Sequence, residues 1–236
     1  MQTTDFTGEL SPARFSPDEA KVVGFRLELI HFLRTPLHCV HEVLSEVSTP
    51  GCIEDFFQQM SEERKKRLFL TQMAKVTQLS GCYTLNLTVS MLDDNAFVAQ
   101  ILEQRHAQKI IIEIQDPGNL LQLNDVEQAA VFDAITRLSA AEYRVWLDDL
   151  YPEHLYAWRK SGITFDAVKI DCQLFRQLSD SATVFARTVR RYREAGKMVV
   201  VEGVETIADY ITCLQSGADA LQGYFFRQEW IRLPVH

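Results

Sequence analysis

The sequence predicts an α/β protein, a TIM-like (β/α)8 barrel, and three observations point there. Apolar runs of strand length alternate with helix-period segments through most of the chain. Its 236 residues are ordinary for one such barrel, with 47% hydrophobic and 24% charged residues to build a core and a solvated surface. No Gly-rich phosphate turn follows the first strand, as an open doubly wound sheet would require.

In chain order, strands are expected at 22–30, 82–89, 109–114, 143–149, 165–170, 197–203 and 218–225. Helical patterns lie between them. Residues 53–76 start with acids in the first turn and carry EERKK on a face that reads as solvated. Further helices are expected over 125–138, over 174–196 and over 206–217, the last two closing on Gly196 and Gly217. Residues 1–20 are polar, with two prolines, and read as a lead segment; residues 21–236 read as a single barrel domain.

Composition narrows the function. A net charge of −8 and a pI near 5.3 argue against sequence-independent binding to nucleic acid or to anionic lipid. The first residues lack the charged head and apolar run of a secretion signal, and no apolar stretch reaches a membrane span's roughly 20 residues, so a cytoplasmic protein is expected. Five scattered cysteines without a C-x-x-C pair indicate neither a disulfide framework nor a zinc cluster. His38 and His41, three apart, read as a surface pair.

The informative polar residues stand where apolar strands end. Asn86, Glu113, Asp148, Asp149, Lys169, Glu202 and Gln222 each occupy such a position, on the face where barrels collect their chemistry. Any one of them can be a helix cap or a rim hydrogen-bonder. As a set around one mouth, the carboxylates would repel one another unless protonated or neutralised, and hard divalent ions such as magnesium or manganese suit an all-oxygen donor set.

The strings LNLT, IIIEIQD, WLDD, VKID, VVEGVET and QGYFF, in this order, resemble the landmarks of EAL domains, over about residues 20–227. These are bacterial phosphodiesterases that open cyclic di-GMP to its linear dinucleotide. The resemblance implies a TIM-like barrel with its first strand reversed. It implies that Asn86, Glu113 and Asp148 ligate a first metal and that Asp149 with Asp148 holds a second. Lys169 would position or help activate the attacking water, Glu202 and Gln222 would assist at the metal and water shell, and Glu205 would brace the loop after Asp149.

The chain also departs from the family. For the Glu-Ala/Val-Leu triplet that supplies a further metal ligand, the best match is Glu28-Leu29-Ile30, two residues beyond the register that would put Arg26 there. A two-residue slip keeps the same strand face, so Glu28 is an expected ligand. The arginine that usually follows the triplet has no clear counterpart. The Gly-rich loop expected after the aspartates is replaced by Leu150, Tyr151, Pro152, Glu153 and His154, which cannot take that loop's geometry unaltered. Asp116 stands where the family has a loop-bracing Glu. The last segment, RQEWIRLPVH, replaces a terminal helix, with Trp230 and Ile231 expected to cover the barrel.

Three functions follow from the resemblance. The first is a catalytically silent EAL-like regulator similar to stand-alone enterobacterial members of the YdiV type. It would bind FlhD, a subunit of the flagellar master transcription activator, and repress motility, with magnesium or manganese at most a vestige. The second is an active magnesium- or manganese-dependent cyclic di-GMP phosphodiesterase that favours motility. The third is a cyclic di-GMP receptor without hydrolysis.

Overall fold

Eight strands close a barrel in the computed structural model, which describes residues 21–34, 39–49 and 52–233. They are β1 (Lys21–Phe32), β2 (Val40–Ser48), β3 (Cys82–Thr88), β4 (Ile110–Gln115), β5 (Arg144–Leu147), β6 (Ala167–Ile170), β7 (Val199–Val201) and β8 (Ala220–Leu221). Neighbours from β2 to β8 run parallel, while β1 runs antiparallel to both β2 and β8. This is the expected TIM-like (β/α)8 barrel with a reversed first strand. The lead segment 1–20 and His38 lie outside the described residues. Among the described residues no helix is long and apolar enough to cross a membrane.

Two strands escaped the sequence reading. β2 was missed because its inward positions, Val40, Glu42, Leu44 and Glu46, are half acidic and break up the apolar run. The second is β9 (Gln228–Arg232), an edge strand that pairs antiparallel with Gly24–Glu28 of β1. Its residues are mostly polar, which hides a strand whose outer edge meets solvent. The run 218–225 is a strand only at Ala220–Leu221, since Gly223 turns the chain back.

The expected helices form with two breaks. Residues 53–76 divide into Ile53–Gln58 and Glu62–Val76, the second starting after Ser61 and burying Phe69, Gln72, Met73 and Val76 on one face. The segment 174–196 divides into Cys172–Leu178 and Ala182–Tyr192 on either side of Ser179, Asp180 and Ser181, so Gly196 lies beyond the helix it was expected to close. Helix Ile207–Ser216 opens with a reciprocal Thr206–Asp209 cap and closes on Gly217 at φ 85°.

Side-chain alternation explains where the cores sit. Inside the barrel, Ile30, Val40, Ile111, Trp146, Ala167, Val200 and Ala220 form an apolar floor. Outside it, alternate residues such as Phe25, Leu27, Val43, Ile112, Leu147 and Val168 pack under the helices. Each floor residue lies two positions from a polar residue of the layer above it, so the strand period that builds the floor also aims the site.

The turn after β8 is tightly specified. Gly223 sits at φ 146°, and a Cβ there would lie 2.4 Å from the Val204 carbonyl oxygen. Gly223→Ala is therefore expected to lose about 1–3 kcal/mol, read as a lower urea midpoint at unchanged slope.

Candidate metal centre at the barrel mouth

Glu28, Glu42, Asn86, Glu113, Asp148, Lys169, Glu202 and Gln222 form one polar layer above the floor, one from each barrel strand or the residue just after it. Lys169, fully buried, is its hub. Its Nζ lies 3.1 Å from Glu42 Oε2, 3.1 Å from Asp148 Oδ1 and 2.5 Å from Glu202 Oε1, and it also bonds Glu113 Oε1. Asn86 Nδ2 donates to Glu42 Oε1 at 2.8 Å, and Gln222 Nε2 donates to Glu42 Oε2 at 2.6 Å.

Glu42 is the residue that the sequence reading missed. It stands in Glu42-Val43-Leu44 on β2, which is itself a Glu-Ala/Val-Leu match, and it is 4% exposed. Its carboxylate groups with those of Glu113 and Asp148, every chosen ligand atom within 4.8 Å of the others; a second trio, Asp148, Asp149 and Glu202, meets the same limit. Glu28 belongs to neither trio. It faces Glu42 across the β1–β2 ladder, accepts from Gln222 at 3.2 Å and Gln228 at 3.3 Å, and pairs with Arg26 at 3.0 Å. The expectation that Glu28 is the triplet's ligand is corrected on this geometry: β1 is the strand before the triplet, and β2 carries it.

Five carboxyls, Glu42, Glu113, Asp148, Asp149 and Glu202, thus surround one ammonium. Burial, then repulsion from Glu42, pushes Glu113 well above the usual carboxylate range despite Lys169. Burial likewise raises Asp148 and sends Glu202 well up, against the pull of Lys169 in both cases. Burial and Asp148 lift Asp149 to about 7. Only Glu42 moves down: burial opposes its charge, but Lys169 and the hydrogen bonds from Asn86, Gln222 and Lys169 outweigh it. Burial disfavours the Lys169 charge, yet Asp148, Glu113, Glu202 and Glu42 hold it firmly as an ammonium.

The donor set fits hard divalent cations. It is all oxygen, its carboxylate excess would be largely balanced by two such ions, and three buried acceptors in it, Asn86 Oδ1, Glu113 Oε2 and Gln222 Oε1, have no hydrogen-bond partner. The titration gives a test. Glu113, Asp148, Asp149 and Glu202 bind their protons more tightly folded than unfolded, so their contribution is full at low pH and is lost as pH rises through the folded values. In chelator, stability is expected to fall as pH rises through about 7, where Asp149 titrates. Manganese should remove that fall, as followed by thermal unfolding across pH 5 to 9.

The loop after Asp149 reaches its shape by another route than glycine. Asp149 itself adopts φ 44°, a left-handed conformation that Asp tolerates better than most residues. Leu150 is buried and its carbonyl accepts from the Tyr192 hydroxyl, while Tyr151 donates to Asp171 Oδ1 at 3.3 Å. Glu153 is exposed and so adds no charge to the buried layer. Bracing differs too. Asp116 is exposed at φ 47°, whereas Trp158 Nε1 donates to the Pro117 carbonyl at 3.0 Å, and the His154 ring occupies the space beside Gly118. Glu205, expected to hold this loop, instead bonds Arg176 at 2.6 Å.

Two clefts open above the layer. One, of about 420 Å³, is lined by Glu28, Glu42, Asp148, Glu202, Gln222 and Tyr224 among others. The other, of about 540 Å³, is lined by residues that include Arg26, Glu46, Phe57, Asn86 and Asp116. They share Leu44 and Gln115 and so adjoin across the mouth.

Comparison with known proteins agrees with this architecture. The EAL domain family model matches residues 39–229, a span that includes Glu42 and excludes Glu28. The EAL domain of FimX from Pseudomonas aeruginosa, solved bound to c-di-GMP, superposes with TM-score 0.73 at 16% identity over 87% of this chain and 90% of that one. Klebsiella pneumoniae BlrP1, solved with manganese and cy-diGMP, gives 0.69 at 20% identity over 94% of this chain but only 60% of BlrP1. An EAL domain protein from Listeria monocytogenes EGD-e gives 0.66 at 18% identity, over 86% and 87%. A search of curated protein sequences found no match. With the family model spanning most of its length, the chain belongs to the EAL domain family.

Proposed function

We propose that this protein is a divalent-metal-dependent phosphodiesterase that binds cyclic di-GMP across the two clefts and opens it to the linear dinucleotide. The observation that carries this reading is the pair of overlapping acidic trios, Glu42–Glu113–Asp148 and Asp148–Asp149–Glu202, sharing Asp148 over an apolar floor. Glu42, Asn86, Glu113 and Asp148 would hold one cation, and Asp148, Asp149 and Glu202 a second. Such a pair supplies positive charge to a phosphodiester and acidifies the attacking water.

The chain's own groups do the rest. Lys169 presents ammonium donors at the centre of the layer, where they orient a water or a phosphate oxygen. Gln222 and Asn86 hold Glu42 in one rotamer by donating to its two oxygens, leaving their own amide oxygens free to point into the site. The buried floor, with Trp146 as its largest side chain, keeps bulk water out from below. The two adjoining clefts provide one compartment for each nucleotide half.

The test is direct. With manganese and cyclic di-GMP, purified protein should form linear dinucleotide, and absence of product above a no-enzyme control would sink the reading. A second reading keeps two specific supports: no arginine follows Glu42-Val43-Leu44, where Ser45 and Glu46 stand instead, and Tyr151 and Glu153 replace the loop glycines with Pro152 between them. On that reading the protein is a silent regulator that binds FlhD. Co-elution with FlhD at micromolar concentration, together with no turnover, would favour it.

A further inference from the structure

We infer that Trp230 and Arg26 form a platform for a purine base at the rim of the barrel mouth, beside the metal layer, Trp230 stacking on its face and Arg26 donating to its edge. The inference rests on the cyclic di-GMP reading above, and it places one base of that ligand on strands β1 and β9.

The ladder registers carry the argument. Arg26 lies opposite Leu44 of β2 on one side and opposite Trp230 of β9 on the other, and residues opposite one another in a sheet share a face. One layer down, Glu28 lies opposite Glu42 and Gln228 in the same way, and Gln228 Nε2 donates to Glu28 Oε1 at 3.3 Å. The face that carries Glu42 into the metal layer therefore carries Arg26 and Trp230 above it. The alternate residues confirm the assignment: Phe25 and Leu27 are buried in the outer core, and Ile231 packs against it. Two residues of strand advance set Trp230 about 7 Å above the level of Glu42, roughly the reach from a nucleotide's phosphate to its base.

The chemistry of the two side chains suits a purine. Trp146 and Trp158 are buried, whereas Trp230 is 47% exposed, leaving an indole surface open to solvent. Leu44, which lines both clefts, continues the strip toward the ring. Arg26 is held by Glu28 at 3.0 Å, while its Nε is shielded from solvent and lies 3.8 Å from Glu46, leaving that donor without a hydrogen bond. The ring nitrogen and carbonyl of guanine offer acceptors to a guanidinium lying in the plane of the base, and its π-face offers a surface to the indole. Core covering was the expected role of Trp230; the register assigns that role to Ile231 alone.

The test titrates the 236-residue protein with cyclic di-GMP in calcium, reading affinity by calorimetry and indole emission in parallel. Wild type should bind with quenching of the exposed indole. Trp230→Ala should weaken binding about 5- to 150-fold, the effect of losing one stacked base. Trp230→Phe should keep most of the affinity while losing the quenching signal, and it guards against a folding defect in the alanine variant. Binding by wild type with no quenching, and with unchanged affinity in Trp230→Ala, would overturn the platform alone. No binding by wild type would overturn the platform and the cyclic di-GMP reading together.

Discussion

Lys169→Met, in chelator at pH 8, is expected to lose about 3–5 kcal/mol of stability, the usual effect of removing one partner from a buried ion cluster. Methionine fills similar volume, so the loss comes from charge. Glu42, Glu113, Asp148 and Glu202 all lie within ion-pair distance of the Lys169 ammonium. Without it their carboxylates face one another in a buried layer. The sign of the pH effect follows. Those acids then take up protons at still higher pH, so the deficit shrinks in acid, where they are neutral, and grows as pH rises. Urea midpoints at pH 5.5 and pH 8 measure the difference. Equal deficits at both values would show that Lys169 acts through packing. Manganese should restore part of the loss at pH 8 by supplying the missing positive charge.

Glu42→Gln and Glu28→Gln are expected to separate cleanly. Both are isosteric changes on facing residues of the β1–β2 ladder. Glu42 contributes to the first acidic trio, and its two oxygens are held by Asn86 and Gln222. Losing its charge should lower manganese affinity by more than the roughly 10- to 100-fold typical of an outer-shell partner, and turnover should fall with it. Glu28 bonds Gln222 from the edge of the layer, so its variant should lose at most an outer-shell partner's share. Matching losses for the two variants would mean that β1 also supplies a ligand.

Most of the polar layer was readable before the fold was known, because Asn86, Glu113, Asp148, Lys169, Glu202 and Gln222 each interrupt or end an apolar run. An acid at the end of Val-Val-Val or within Ile-Ile-Ile needs a reason. Glu42 gives no such signal. Its neighbours along the inward face are Val40 and Leu44, but Glu46 and the intervening His41 and Ser45 make the stretch read as a polar connection. The Glu-Val-Leu string stands at 42–44, while β1, the more apolar strand, carries Glu28 as a mimic on the same ladder. Strand β9 gives little signal for a related reason, since an edge strand pairing on one side only carries little apolar patterning.

The loop after Asp149 teaches a different point. Its composition excludes the glycine geometry of the family, which raises the question of how the Asp148–Asp149–Glu202 trio is kept together. The structure answers it locally: Asp149 takes the left-handed conformation itself, and Leu150, Tyr151 and Trp158 anchor the following residues on neighbouring elements. Residue types constrain which backbone shape a loop takes, while the position of a side chain at the strand end is fixed by the sheet. Asp148, whose amide donates to the Ile114 carbonyl at 2.9 Å, belongs to the sheet more than to the loop.

The measurement that bears most directly on the acidic layer is calorimetric titration of manganese into wild-type protein at pH 6.5, repeated in buffers of different ionisation heat. Glu113, Asp148, Asp149 and Glu202 hold protons more tightly than free carboxylates, so binding should release them, and the apparent heat should vary with the buffer. Binding with a buffer-independent heat, or no binding at millimolar manganese, would contradict a metal centre at this barrel mouth.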